Sequence, residues 1–162
     1  WMHLKNILIV VSDIEKSKGF YQELFGLMVA VDFGENVILT EGLVLQEKKA
    51  WEDLIGREVK TAANNAELYF EENDMDGLIK KLESGRFPIN YVNSPTEQER
   101  RVIRIYDPDG HIIEIAETLE CIARRYLMSG MTVSDTAKKM RLPMDVIKEM
   151  EVGLQESSKN LE

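Results

Sequence analysis

The chain is poor in the residues that covalent or imidazole-based chemistry needs. It has one cysteine, Cys121, so no internal disulfide can form, and that economy fits a reducing, cytoplasmic setting. Histidine occurs twice, as His3 and His111. Apolar runs are short: the aliphatic stretch "ILIVV" at 7–11 falls far below the roughly 20 residues that cross a bilayer. No leader segment is visible, and no membrane partner is expected. Positive charge is scarce too. Twenty Lys and Arg stand against 29 Asp and Glu, a formal charge of −9, which argues against nucleic acid as a partner because that needs a basic face. A small-molecule ligand is left open. The rest is ordinary: 162 residues, 44% hydrophobic and 30% charged, enough for one sizeable core or two small ones.

The β-branched run "NILIVV" (6–11) predicts a strand. "SDIE" reads as a capping box, with Ser12 as cap and Glu15 reaching back. Ile14, Tyr21, Leu24 and Phe25 then give a helix one apolar face, and Gly26 ends it. Strands follow at 28–33, 36–40 and 43–48, separated by Gly34 and Gly42. The second half repeats this order. "ELYFEE" is a strand, "NDMDGLIKKLES" a capped helix, "INYV" a short strand, and "RRVIRIYD" and "HIIEIAE" a pair joined by the turn "DPDG". An offset of 61 lays Asn6 and its strand on Glu67, and an offset of 68 lays "EGLVLQ" on "DGHIIE". Identity is weak, but order and punctuation agree, which points to an internal duplication.

Residues 49–64 form a polar linker with a helical turn at "AWEDLIG". From Thr118 the pattern is helical, in three pieces: one ending at Gly130, one capped by Thr132, and one opened by Pro143. The expected fold is α+β: two βαβββ modules, about 4–48 and 66–117, forming a curved mixed sheet with a concave pocket within a domain at 2–118. A helical extension follows at 119–155, with 156–162 as a disordered tail.

Alternation sorts each strand into two faces. Ile7, Ile9 and Val11, Leu43 and Leu45, Leu68 and Phe70, Ile103 and Ile105, and Ile113 and Ile115 make one aliphatic face for the helices. The other face is mixed, with apolar walls around Asn6, Gln46, Glu67, Tyr69, Arg104, Tyr106 and Glu114. A carboxylate on a buried strand is costly unless paired or bound to a cation, so Glu114 belongs to a polar cluster in that pocket. Under the two offsets Asn6 matches Glu67 and Gln46 matches Glu114.

The segments "NILIVVSDIEKSKGFYQELFGL" and "RIYDPDGHIIEI" resemble the vicinal oxygen chelate superfamily, the group of glyoxalase I, bleomycin- and fosfomycin-resistance proteins and extradiol dioxygenases. The resemblance covers about 2–118 and is specific for fold. It implies that a divalent metal, where one is held, sits between side chains at Asn6, Gln46, Glu67 and Glu114. The first and third places are commonly His in such proteins, and neither is His here. That disfavours Zn²⁺ and Ni²⁺ and leaves Mg²⁺, Mn²⁺, Ca²⁺ or no metal. Glu114 matches the family's last ligand, and a slip of one residue would put Glu47 in the place of Gln46.

The resemblance supports two main readings. One is a metal-free small-molecule binder using Tyr69, Arg104 and Tyr106. The other is a lyase or isomerase resembling glyoxalase I, in which a metal polarises oxygen and Glu114 or Glu67 moves a proton. Dioxygenase chemistry fits least, since it calls for two His and a carboxylate on iron. A third reading is a regulator whose pocket senses a ligand while the tail contacts a partner.

Several residues have plainer readings. Glu67 and Glu114 can be solvated, or neutralised by Arg104. His3 falls on the wrong face to replace Asn6, His111 reads as a packed turn-edge histidine, and Tyr21 fills the core. The tail loosely resembles a helix-turn-helix through Ala137 and Ile147, but Arg141 stands where glycine is usual. Seven basic residues meet seven acidic ones between 119 and 162, so no cationic reading helix exists. Three short helices should not bury so much apolar surface among themselves, so the tail is expected to dock on the sheets or on a second chain of a homodimer.

Overall fold

The structure is a computed structural model that describes residues 1–96 and 100–159. The first module holds β1 (Ile7–Val11), α1 (Ile14–Phe25), β2 (Val29–Asp32), β3 (Asn36–Leu39) and β4 (Leu43–Glu47), and α2 (Lys48–Ile55) follows directly. The second holds β5 (Glu67–Glu72), α3 (Met75–Glu83), β6 (Asn90–Tyr91), β7 (Val102–Tyr106) and β8 (Ile112–Glu117). The extension is α4 (Leu119–Met128), α5 (Val133–Met140) and α6 (Met144–Lys159). Each module makes one four-stranded sheet, ordered β1-β4-β3-β2 and β5-β8-β7-β6. In both, the outer pair of first and last strand is parallel and the other pairings are antiparallel. No described helix is long and apolar enough to cross a membrane.

The aliphatic faces meet in one core. Ile9, Val11, Leu43 and Leu45 are buried in the same cluster as Ile103, Ile105, Ile113 and Ile115, together with Phe20 and Leu24 of α1 and Met75 and Leu78 of α3. Aromatic contacts cross between the modules: Phe25 meets Phe70 with ring centroids 4.6 Å apart, and Phe20 meets Phe87 at 5.9 Å. The two modules therefore pack on each other within one chain.

Three details depart from the sequence expectation. Asp13, not Ser12, caps α1, accepting from the Lys16 N–H at 3.0 Å. Ser12 is taken by the other module: its N–H and hydroxyl both donate to Asp109 Oδ1, at 3.0 and 2.6 Å. The helical extension packs on itself. Ala123, Ala137 and Ile147 form a core of their own with Leu127, Val133, Met140, Leu142 and Met150. Two alanines at the contact let three short helices approach closely enough to share one isoleucine, which was not anticipated. Finally, α6 runs to Lys159, so residues 156–159 are helical, while 160–162 lie outside the described residues.

Helix α2 decides which sheet face stays open. The Glu47 carboxylate, at the end of β4, accepts from the N–H groups of Lys49 (2.9 Å) and Ala50 (2.7 Å) and so starts the helix at once. Gly56, in the left-handed region at φ 64°, ends it. The helix lies against β1 and β4 on the side away from α1, and beneath it Val44 and Gln46 are only 5% and 9% exposed.

Candidate functional site

Among the described residues no helix covers the corresponding face of the second sheet. The ladder puts Tyr69, Glu114 and Arg104 in one row across β5, β8 and β7, with Glu67, Ile112 and Tyr106 in the next. Arg104 and Glu114 form an ion pair, with side chains 35% and 16% exposed. The Tyr69 hydroxyl donates to Glu71 at 2.9 Å and accepts from Arg100 at 2.7 Å. The Tyr106 hydroxyl donates to Asn64 Oδ1 of the linker at 2.9 Å. Five predicted pocket residues, Glu67, Tyr69, Arg104, Tyr106 and Glu114, thus share one open face.

The amides lie elsewhere. Asn6 precedes β1 and is exposed. Gln46 is buried below α2, where its Oε1 accepts from Asn36 at 2.9 Å and its Nε2 donates to the Glu47 carbonyl at 3.3 Å. The repeat correspondence also fails in the ladder. Ile7 faces Leu43, so the two offsets would set Leu68 opposite His111, yet Leu68 faces Ile113. The second module is paired two residues further along. By register the counterpart of Glu114 is Val44, and that of Gln46 is Ala116.

Two clefts border Glu67. One, of about 360 Å³, lies between β1 and the linker and is lined by Leu8, Val10, Asn64, His111 and Ile112 among others. The other, of about 240 Å³, is lined by Ile7, Leu43 and Tyr69 among others. Neither takes in Asn6, Gln46 or Glu114.

His111, at the edge of the larger cleft, belongs to a buried polar chain. Asp107 is 3% exposed. Its Oδ2 accepts from the Tyr21 hydroxyl at 2.7 Å and lies 2.7 Å from His111 Nδ1, while its Oδ1 accepts from the N–H groups of Asp109 and His111. Burial opposes charge on both groups. The hydrogen bonds with His111 and Tyr21 nevertheless hold the Asp107 carboxyl below its ordinary value, and Asp107 raises the His111 imidazole above its own. Tyr21 therefore fills the core and also satisfies a buried carboxylate.

The most buried carboxylate was overlooked in the sequence. Glu117 is fully buried at the end of β8. It accepts from the Arg101 N–H (2.9 Å) and Arg101 Nε (2.8 Å) and from Arg125 of α4, and Arg101 reaches on to Asp76. Burial pushes this carboxyl up, but the backbone bond and the two guanidinium groups outweigh it and hold it at about 2. A signal was present: the alternation that sends Glu114 to the open face sends Glu117 to the aliphatic face with Ile113 and Ile115, where a lone charge costs most.

With the fold and this arrangement in view, the chain can be set beside known proteins. The profile of the glyoxalase-like domain matches residues 4–120. This chain belongs to the glyoxalase-like family. It therefore falls in the vicinal oxygen chelate superfamily. Over 111 residues it is 23% identical to the metallothiol transferase FosB of Lysinibacillus sphaericus, spanning 68% of this chain and 79% of that one. Over 133 residues it is 29% identical to the uncharacterized protein YraH of Bacillus subtilis, spanning 73% of this chain and 100% of that one. A crystal structure of a protein of unknown function from Agrobacterium tumefaciens is 31% identical, with a TM-score of 0.62 over 73% of this chain and 95% of that one. A glyoxalase-related enzyme from Fulvimarina pelagi shares the fold, with 21% identity and a TM-score of 0.61 over 73% of this chain and 89% of that one.

The glyoxalase-like fold raises the question of a metal, and the residues here fit one poorly. Both ends of the Gln46 amide are engaged, Arg104 holds Glu114, and no three His, Cys, Asp or Glu among the described residues gather as a metal would need. The family profile ends at 120, so α5, α6 and nearly all of α4 lie beyond it.

Proposed function

We propose that this protein binds a small organic molecule on the open face of β5, β8 and β7, without a histidine-held metal. The observation that carries this reading is the row Tyr69–Glu114–Arg104, an ion pair beside a tyrosine on a sheet face that no described helix covers. The Arg104 guanidinium can present two parallel donors to a carboxylate or phosphate, and the Tyr69 and Tyr106 hydroxyls add directional contacts. A ligand anion would take over Arg104 while Glu114 accepts a ligand hydroxyl or amide. Glu114 or Glu67 would move a proton there.

The test is metal analysis of protein purified with neither added metal nor chelator, paired with methylglyoxal–thiol turnover. The expected result is far less than one metal per chain and no turnover restored by Zn²⁺ or Ni²⁺. A full equivalent of either metal with metal-dependent turnover would replace this reading with a glyoxalase I-like lyase or isomerase.

A cytoplasmic homodimer is part of the same proposal. Val29, Val31 and Phe33 are exposed on and beside the edge strand β2 and suit self-association. Sedimentation at micromolar concentration checks it.

A further inference from the structure

A third cleft, of about 430 Å³, lies where the family domain meets the extension. Its walls combine three cations, Arg100, Lys139 and Arg141, with Tyr126, Ile122 and Met140. No acidic residue lines it among the described residues, in a chain whose formal charge is −9. Arg100 is paired with Glu71 at 3.2 Å, whereas Lys139 and Arg141 have no ion pair among the described residues. Arg100 donates through Nε to the Glu117 carbonyl (2.9 Å) and through Nη2 to Tyr69 and Glu71, leaving Nη1 without a partner among the described residues. The Lys139 ammonium sits 4.6 Å from the Tyr126 ring centroid and makes no described ion pair. Arg141 takes the left-handed conformation that ends α5, at φ 56° and ψ 41°, and is likewise free of described ion pairs. That conformation turns the chain directly after Lys139 and Met140, so all three residues border one hollow.

We propose that this cleft binds a small organic acid, with its carboxylate or phosphate on Arg100, Lys139 and Arg141 and its apolar body against Ile122 and Met140. The volume suits such a ligand. Guanidinium and ammonium groups are the natural partners of an oxyanion, and a site half walled by aliphatic side chains selects against a bare inorganic ion. The site needs α4 and α5, so it is built by the extension, and Arg100 joins it to Tyr69 on the open face of the second sheet.

The experiment is calorimetric titration of the full chain with benzoate and phenyl phosphate, beside neutral benzyl alcohol and inorganic phosphate. Both organic acids should bind, each at least tenfold more tightly than benzyl alcohol, and phenyl phosphate more tightly than inorganic phosphate. The double variant Lys139→Met/Arg141→Gly should weaken both acids tenfold or more, while its circular dichroism stays unchanged, since glycine accepts the left-handed conformation. Lys49→Met, at an exposed cation of α2 remote from the cleft, should leave the affinity as it was. Absence of binding by either acid at millimolar concentration would overturn the proposal. So would equal binding of benzyl alcohol, undiminished affinity in the double variant, or loss of affinity in Lys49→Met.

Discussion

β4 and β8 each end in a glutamate at matching places in their ladders: Val11 faces Glu47, and Glu72 faces Glu117. Both carboxylates anchor the helix that follows, by different means. Glu47 is near solvent and caps α2 through two backbone N–H groups. Glu117 is fully buried and holds α4 through Arg125 and the neighbouring strand through Arg101. The consequences diverge. In the first module the anchored helix folds back against its own sheet and covers Val44 and Gln46. In the second the helix leads away, and the face stays open for Tyr69, Arg104 and Glu114. One duplicated plan thus yields a structural half and a half that carries the candidate site.

The sharpest way to break this comparison is at the two anchors. Glu117→Ala leaves Arg101 and Arg125 without their shared carboxylate. Because both guanidinium groups keep some access to water, the loss should be near the low end for a broken buried pair, about 3 kcal/mol, read by urea denaturation. The same carboxylate sets an acid limit. Its folded value of about 2 lies below the ordinary 4.5. Its contribution is therefore complete above pH 4.5 and lost as pH falls through 2. Glu117→Gln should flatten the stability profile across that window, and an unchanged profile would deny Glu117 the role.

Tyr21→Phe comes next. It removes the hydroxyl that satisfies Asp107 and ties α1 to the second module, and should cost about 1–2 kcal/mol in the same measurement. Glu47→Ala removes only a helix cap, so about 1 kcal/mol is expected, smaller than at Glu117 by a margin that tests whether the anchors differ as described. Least of all, Lys49→Ala breaks an exposed pair with Asp53 on α2 and should change stability by less than about 0.5 kcal/mol.

Much of the fold was legible because periodicity is a local signal. β1, β5 and β8 read directly as alternating or β-branched runs, and Gly26 and Thr132 marked helix ends that the structure places there. What was not legible depended on distant partners. Asp109 lies 97 residues from Ser12, and no local pattern says that it will claim the Ser12 hydroxyl and leave Asp13 to cap. The same holds for register. Offsets along the sequence align loops, whereas hydrogen bonding sets the ladder, and the two disagree by two residues at β8. Within the site, alternation placed Glu67, Tyr69, Arg104, Tyr106 and Glu114 on one face. It could not tell that α2 would fold over Gln46, because a covering helix leaves no mark on the strand it covers. Arg100 escaped notice for a related reason: it opens the run "RRVIRIYD" but precedes β7, and nothing in the run says that α4 and α5 will border it.

The two cores share no residue. A helical unit of about 40 residues buries too little apolar surface to persist alone, so α4–α6 lasts only as long as its attachment through Glu117 and Arg125. The molecule therefore has a built-in order of disassembly. Amides of α5 and α6 should exchange with solvent in openings that leave the paired sheets intact, and proteases should cut the segment around Gly130 before the linker at 56–66. The Glu117 anchor then acts as a fuse: while it holds, the organic-acid cleft and the open face belong to one body, and when it opens the cleft vanishes first.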